Sequence, residues 1–408
     1  MSPEATARAA LALALATPVL MIASRGIAPV VLVVVAGLLA LASWRAGRSA
    51  AVLRTLREGA ESAPGLLAIG LVALVGASLA WTPALARGAE YVAHVAGSLA
   101  LLGVALANAR VLAPALPVVG LAAGMTLAGL VLALDVAVEG ALRGALGFST
   151  DLFRLNRAAV ALVLLLPLAT ALLREGRRVV WLILVWLTCI VAIFSSQSAS
   201  AQLGVLVVSV TLTLASAAPV ATHRLVAAVA VVATLVIPFL APVINDLIPR
   251  AVHDAVGYGT LTIRGEIWRE YAALLWERPL LGFGIEAGHV AASLPEAASL
   301  GDAERRLLNW GHPHNAALQV WFELGLVGAL LTAALLATVF RALERHSGPL
   351  LPAATATAAG AYAVAFVSHG AWQAWWWCLL GLIALLFVAS AGRIRDQDGV
   401  RAGTPPGA

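Results

Sequence analysis

Twelve long apolar runs dominate this 408-residue sequence and limit its fold more than any other feature. Most of them approach the roughly 20 residues with which an α-helix crosses about 30 Å of hydrocarbon. Backbone groups in lipid must find their partners within the segment, and the runs lack the alternating polar pattern of barrel strands. We therefore predict an all-α fold, a polytopic transmembrane helical bundle of about 12 helices.

The runs divide the chain into four parts. Residues 1–244 hold nine predicted helices, residues 245–313 one long loop with amphipathic helices, residues 314–390 three more helices, and residues 391–408 a predicted disordered tail. The predicted helices cover residues 9–24, 27–44, 66–81, 91–107, 112–134, 158–173, 179–194, 203–218, 225–244, 314–340, 350–367 and 371–390.

Composition excludes several classes of protein. With 61% hydrophobic residues, 12% charged residues and a mean hydropathy of +0.94, the chain is too apolar for a soluble globular domain. A pI near 10.0 is typical of nucleic-acid binding, but the basic residues are all arginines in loops between apolar runs. Orientation in the bilayer explains them, so we expect membrane lipids and no nucleic acid as partners.

The arginines also predict the orientation of the chain. With the N-terminus inside, fifteen arginines fall on the inner side and eleven on the outer side, six of them in the long loop, where the rule loses force. The short loops therefore favour cytoplasmic termini. On this topology residues 245–313 lie on the non-cytoplasmic side of the membrane.

Two histidines stand at the outer start of the tenth run, in His312-Pro-His314-Asn315, and Gly325-Leu-Val-Gly328 follows after nine residues. Imidazole titrates near neutral pH, so this pair suits proton transfer between a substrate and water. Alternatively, the His-Pro-His-Asn segment only forms the N-terminal cap of a helix. We expect His314 in the first turn of the helix, with its pKa lowered by the helix N-terminus, and His312 in a more mobile loop.

The long loop carries the other polar signals. Apolar residues repeat at helical spacing over residues 262–276, which predicts an amphipathic helix on the membrane surface with Trp268 and Tyr271 facing the bundle rim. Gly282 and Gly284 then mark a flexible turn. The histidines and nearby acids lack the spacing of a zinc or magnesium site, so no metal and no cofactor is expected.

These elements, in this order, resemble the O-antigen ligase and polymerase superfamily. The ligase motif is a His followed by Asn, Ser or Gln, then nine residues, Gly, two residues, and Gly, Thr or Tyr. His314, Asn315, Gly325 and Gly328 match it in full. Three further segments look like family elements: Arg264-Gly-Glu-Ile-Trp268, Pro279-Leu-Leu-Gly282-Phe-Gly284 and Leu155-Asn156-Arg157.

The resemblance implies a metal-independent, inverting glycosyltransferase that moves a glycan from undecaprenyl diphosphate or a similar polyprenyl diphosphate to an acceptor hydroxyl. It also implies a bacterial inner membrane, with the active site on the periplasmic face. Ligation of O-antigen to lipid A core is the first expectation, and an O-antigen or exopolysaccharide polymerase is the alternative. His314 would be the general base and Arg264 the main diphosphate ligand, because the arginine fork binds phosphate oxygens in pairs. The resemblance also implies two further sets of residues. The residues implied to contact the substrate are Arg157, Asn156, His312, Asn315 and Trp268, and those implied to form the structural motif are Gly325, Gly328, Gly282 and Gly284.

Each of these residues also has a structural alternative. Arg157 could extend to the lipid headgroups, Arg264 could pair with an acid on its own helix, and His312 could only orient His314. Four tryptophans at the outer end of the last run fit an aromatic belt better than a sugar platform: Trp372, Trp375, Trp376 and Trp377.

A polytopic transporter or lipid flippase is the alternative function from another class. Such a protein places ionisable groups near the bilayer midplane and often breaks its helices there. Here the helix interiors are nearly free of charge, and the polar residues collect on one face. The sequence therefore favours chemistry at the membrane surface.

Overall fold

A computed structural model describes residues 1–256 and 261–401 of the chain. It is 81% helical and has no strand within these ranges, which confirms the predicted helical bundle. The twelve predicted runs correspond to twelve helices, α1 to α12. Their bounds are α1 Pro3–Ala23, α2 Ile27–Arg45, α3 Ala63–Ala77, α4 Leu85–Leu112, α5 Val118–Ala137, α6 Asn156–Glu175, α7 Val179–Ser195, α8 Ala199–Ala217, α9 Pro219–Leu240, α10 Ala316–Leu343, α11 Leu350–Val367 and α12 Ala374–Arg401.

Eleven of these helices are long and apolar enough to cross a membrane, when α3 is taken together with the 3-10 turn that extends it to Ala80. The remaining one, α7, is an apolar helix of 17 residues. The chain is therefore a multi-pass membrane protein. Its last helix continues through Arg401 rather than ending at residue 390, and residues 402–408 of the predicted disordered tail lie outside the described residues.

Helix α6 forms the centre of the bundle. Every residue from Ala158 to Leu173 is buried, as expected for a helix that is apolar on all its faces. It contacts α1, α5, α7, α8, α11 and α12. This central position brings the first residues of α6, Asn156 and Arg157, to the middle of one end of the bundle.

Short helices occupy the connections. One of 13 residues precedes α3, and most of the others belong to the long loop between α9 and α10. The short α-helices are Ser49–Glu61, Ala141–Ala145, Ile244–Leu247, Arg250–Val256, Thr262–Leu275 and Asp302–Leu308, and the 3-10 turns are Ser78–Ala80, Leu152–Leu155, Ala287–Ser293 and Pro295–Ala297.

The loop helix Thr262–Leu275 packs on the bundle through the face that the sequence predicted. Tyr271 is fully buried, with its ring edge-on to Phe322 of α10 at a centroid distance of 4.9 Å. Trp268 meets Phe366 of α11 at 5.9 Å. The loop is thus fixed to α10 and α11 by apolar contacts.

Labelling of a single introduced cysteine tests the side of the membrane on which the loop lies. Ser299→Cys, at an exposed loop position, should react with an impermeant maleimide in cells with a permeabilised outer membrane. Ser347→Cys, between α10 and α11, should react only after the inner membrane is opened. The native cysteines Cys189 and Cys378 are buried and should stay unlabelled. The reverse pattern would invert the topology.

Candidate functional site

His314 lies directly before α10 and not within it. Asn315 is the N-cap residue, and its side-chain oxygen accepts a hydrogen bond from the Leu318 N–H at 2.9 Å. His314 adopts a left-handed backbone with φ of 54°. The expectation that His314 belongs to the first turn was wrong by two residues, because the short Asn315 side chain caps the helix where His314 was expected to enter it.

Hydrogen bonds fix the tautomers of both histidines. The His314 Nδ1 lies 3.2 Å from the Ser368 carbonyl oxygen, which only accepts, so Nδ1 carries the proton and Nε2 is the free base of the neutral ring. The His314 backbone N–H donates to His312 Nδ1 at 3.0 Å, so the proton of neutral His312 is on Nε2. The two rings lie 4.2 Å apart. His312 is therefore held in place, contrary to the expected mobile loop.

Burial lowers the pKa of both imidazoles. For His314 the Ser368 carbonyl opposes this effect and the charge of Arg264 adds to it. For His312 burial is joined by the charges of His314 and Arg87. Desolvation is thus the largest reason why these rings favour the neutral form, and an added effect of the helix N-terminus stays a prediction.

Arg264 lies near His314 and Arg157 lies near His369, since the charge of each arginine lowers the pKa of that histidine. The Arg157 guanidinium stacks over the Trp375 ring at 4.4 Å and donates to the Arg25 carbonyl oxygen at 3.0 Å. Arg264 is partly buried, and among the residues that the structure describes neither arginine forms an ion pair. The alternative of an Arg264 pair with an acid on its own helix is not found. Two partly buried cations without a carboxylate partner favour an anionic ligand.

His369, which the sequence reasoning missed, completes this cluster. Its ring lies 4.7 Å from Trp375, edge-on, and burial together with the charges of Arg157, His312, His314 and Arg264 keeps its pKa well below the usual range. Its position in a short polar step between two apolar runs was the available signal. Asn156 Oδ1, Asn315 Nδ2 and His369 Nε2 are among the buried polar atoms that have no hydrogen-bond partner in the described part of the chain.

The glycines of the motif break α10 and let the loop enter the break. At Gly325 the backbone has φ of 63° and ψ of −159°, which interrupts the helical ladder. The turn 279–284 fills the gap: the N–H groups of Leu326 and Val327 donate to Pro279 and Leu280 at 2.8 and 3.2 Å. The carbonyls of Phe322 and Glu323 accept from residues 283 and 284 at 2.9 and 2.8 Å. All four freed backbone groups are thus satisfied, as a membrane interior requires.

This arrangement leaves no room for side chains at the glycines. A Cβ at Gly325 would lie 2.3 Å from the Leu280 carbonyl carbon, and one at Gly282 would lie 2.4 Å from the Glu323 carbonyl carbon. Gly284 and Gly328 are equally confined, by Thr82 and Leu324. The turn that the sequence indicated as flexible is therefore held by close backbone packing.

Gly325→Ala should destabilise the protein by at least about 1 to 3 kcal/mol, because this combination of φ and ψ is nearly confined to glycine and the new methyl meets backbone atoms. Thermal unfolding in detergent measures the effect. Gly37→Ala is the matched control, since Gly37 lies in a regular part of α2 with nothing within 4 Å. Equal melting temperatures for Gly325→Ala and wild type would contradict the prediction.

A buried carboxylate, also missed from the sequence, joins α10 to its surroundings. Glu323 is fully buried and accepts hydrogen bonds from the Trp372 indole at 2.6 Å, the Gln319 amide at 3.0 Å and the Glu286 backbone N–H at 2.9 Å. It thereby links the broken helix, the long loop and the connection between α11 and α12. An acid inside an apolar run was the signal for it.

Beside His312 lies a polar cavity of about 220 Å³. Its charged members are Arg87, in the first turn of α4, and Glu286, which form an ion pair at 2.6 Å. The Arg87 guanidinium also lies 4.9 Å from the Tyr91 ring centroid. Arg87 and Glu286 are 199 positions apart, so sequence spacing gave no sign of this pair.

The tryptophans differ from their expected roles. Trp372, Trp375 and Trp376 are between 1% and 5% exposed, so they do not form a lipid-facing belt. Instead Trp372 holds Glu323, and Trp375 lies between Arg157 and His369. Trp268, predicted to contact substrate, is packed in the apolar core against Phe366.

Comparisons with known proteins confirm the resemblance. Residues 182–333, from α7 into α10, match the family described as O-antigen ligase. A Rickettsia conorii protein named as a polysaccharide ligase is 28% identical over 112 residues. That match covers 27% of this chain and 27% of the relative.

Proposed function

We propose that the protein is a membrane glycosyltransferase that moves a glycan from a polyprenyl diphosphate to an acceptor hydroxyl, with ligation of O-antigen to lipid A core as its reaction. The observation that supports this most directly is a free imidazole nitrogen, Nε2 of His314, close enough to Arg264 for that charge to lower its pKa. Within the described residues neither Arg264 nor Arg157 forms an ion pair. The family match over residues 182–333 supports the reaction class.

In the proposed reaction His314 Nε2 takes the proton of the acceptor hydroxyl as its oxygen attacks the anomeric carbon. The bond from that carbon to the diphosphate oxygen breaks, and the configuration inverts because attack comes from the opposite face. Arg264 and Arg157 bind the leaving diphosphate, whose charge is concentrated on a few oxygens. No metal ion is required for this charge, since the two guanidinium groups supply it.

His312 acts in this proposal as a positioning residue. Its Nδ1 accepts the His314 backbone N–H, and its ring packs on the His314 ring. The left-handed backbone of His314 is uncommon for a residue with a Cβ and needs such a partner to hold it. His312 thus directs the His314 ring toward Ser368.

Transfer by purified protein in proteoliposomes, with a polyprenyl-diphosphate glycan and lipid A core, tests the proposal. Glycan on lipid A core is the expected product. The lipopolysaccharide gel of a deletion strain separates the two family activities: loss of all capped bands indicates a ligase, whereas a core that carries one repeat indicates a polymerase. Transport of the donor without glycan transfer would contradict both.

The pH dependence of transfer tests the role of His314. Burial lowers its pKa, so the neutral form that accepts a proton persists below the usual value of about 6.5. The rate at low acceptor concentration should therefore stay level as the pH falls from 7.5 to about 6.5 and decline only in more acid solution. A half-maximal rate at or above pH 6.5 would contradict this.

A further inference from the structure

We propose that the cavity beside His312 binds one neutral sugar residue of the acceptor and directs its hydroxyl toward the histidines. This inference rests on the proposed transferase function and adds the chemical class of one subsite. Trp310, Arg87, Glu286, Gln319, Trp372 and Gln373 contribute to the lining, as does His312 itself.

This cavity differs in charge from the region around Arg264, where the diphosphate is proposed to bind. Arg87 and Glu286 neutralise each other in an ion pair at 2.6 Å, so the cavity presents a dipole and no net positive charge for a phosphate group. Arg264 has no ion-pair partner within the described ranges and lies toward His314 and His369. Arg157 lies between the two regions, over the Trp375 ring and within electrostatic reach of Tyr91 in the cavity wall. A neutral ligand therefore fits the Arg87 side, and an anionic one fits the Arg264 side.

Aromatic surface and planar polar groups are combined in the cavity. Trp310 is 55% exposed, and its ring lies edge-on to His314 at 5.6 Å. The C–H faces of a pyranose pack on aromatic rings, while its hydroxyls bond to carboxylate, guanidinium and amide groups. Glu286, Arg87 and Gln373 offer those groups at the other walls.

Size and position limit the occupant further. At about 220 Å³ the cavity is smaller than the roughly 300 Å³ at which sites for drug-sized ligands begin, so it accommodates a single sugar ring rather than an oligosaccharide. His312 and Trp310 both line the cavity, and the Trp310 ring also contacts the His314 ring. A sugar bound here therefore lies against His312, whose ring centroid is 4.2 Å from that of the proposed base.

Saturation-transfer NMR on the full chain in nanodiscs tests the site, with methyl hexosides as probes and inorganic pyrophosphate as competitor. We expect saturation transfer to at least one hexoside, a signal reduced roughly fivefold to tenfold in Trp310→Ala, and no displacement by pyrophosphate. Trp276→Ala is the matched control, because Trp276 is a similarly exposed loop tryptophan that packs on Phe239 away from the cavity. It should bind as wild type does.

Turnover supplies the second measurement. Trp310→Ala should raise KM for the acceptor and leave KM for the donor unchanged. Three results would each overturn the proposal. They are an absence of saturation transfer to every hexoside, displacement of the bound hexoside by pyrophosphate, and a rise in the KM for the donor alone. His314→Ala separates the two hypotheses: if it stays active while Trp310→Ala still loses hexoside binding, the proposed catalytic base fails and the sugar site stands.

Discussion

His314→Ala is expected to lower glycan transfer by about 10²-fold to 10⁴-fold, the usual contribution of a general base. The substitution removes Nε2, the one nitrogen of the two rings that is free to accept a proton when both rings are neutral. Donor binding should persist, because Arg157 and Arg264 remain. The measurement is single-turnover transfer in proteoliposomes, with donor affinity measured separately.

His312→Ala should retain partial activity, because it removes the partner of the His314 N–H and not the base. The two variants differ by location and not by residue type, which makes the pair a matched comparison. His346→Ala, beyond the other end of α10, should leave transfer unchanged. Near wild-type turnover in His314→Ala, or a greater loss in His312→Ala, would reject the assignment.

The helical bundle could be predicted from hydropathy because the bilayer leaves few alternatives. A run of apolar residues in lipid must satisfy its own backbone, so its presence fixes a helix wherever it is long enough. The ends were less certain: α4 begins at Leu85 and α9 begins at Pro219, ahead of the predicted starts at residues 91 and 225, because polar residues at the membrane surface continue a helix as readily as apolar ones.

The site was predictable only where its residues are adjacent in sequence. His312 and His314 were found because they flank one proline, but Arg87 and Glu286 meet across 199 positions and Trp372 reaches Glu323 across 49. The break at Gly325 is also non-local, since the turn that fills it comes about forty positions earlier. Such pairings depend on helix packing, which spacing within one segment does not encode.

The buried tryptophans likewise could not be predicted from the local sequence. Amphipathic rings at a helix end favour the lipid interface on composition alone, and nothing local distinguishes a ring that faces lipid from one that faces a polar cavity. For Trp375 the deciding contacts are the Arg157 guanidinium and the His369 ring, from different parts of the chain.

Arg264→Lys should lose most activity although the positive charge is retained. A lysine ammonium is a point charge and does not reproduce the two parallel N–H···O bonds of a guanidinium on a diphosphate. Loss of one such contact in the transition state costs about 2 to 4 kcal/mol, or roughly thirtyfold to a thousandfold in rate. The comparison is kcat/KM for the lipid-linked donor in proteoliposomes.

Arg269→Lys is the control on the same helix. Arg269 is exposed, whereas Arg264 is partly buried and close enough to His314 for its charge to lower the pKa of that ring. A phosphate ligand must lie near the base, because the bond that breaks joins the attacked carbon to the diphosphate. If the phosphate role is right, the Arg264 variant alone loses turnover while both variants melt as wild type does. Full activity in a folded Arg264→Lys protein would remove Arg264 from the mechanism and leave Arg157 as the candidate ligand.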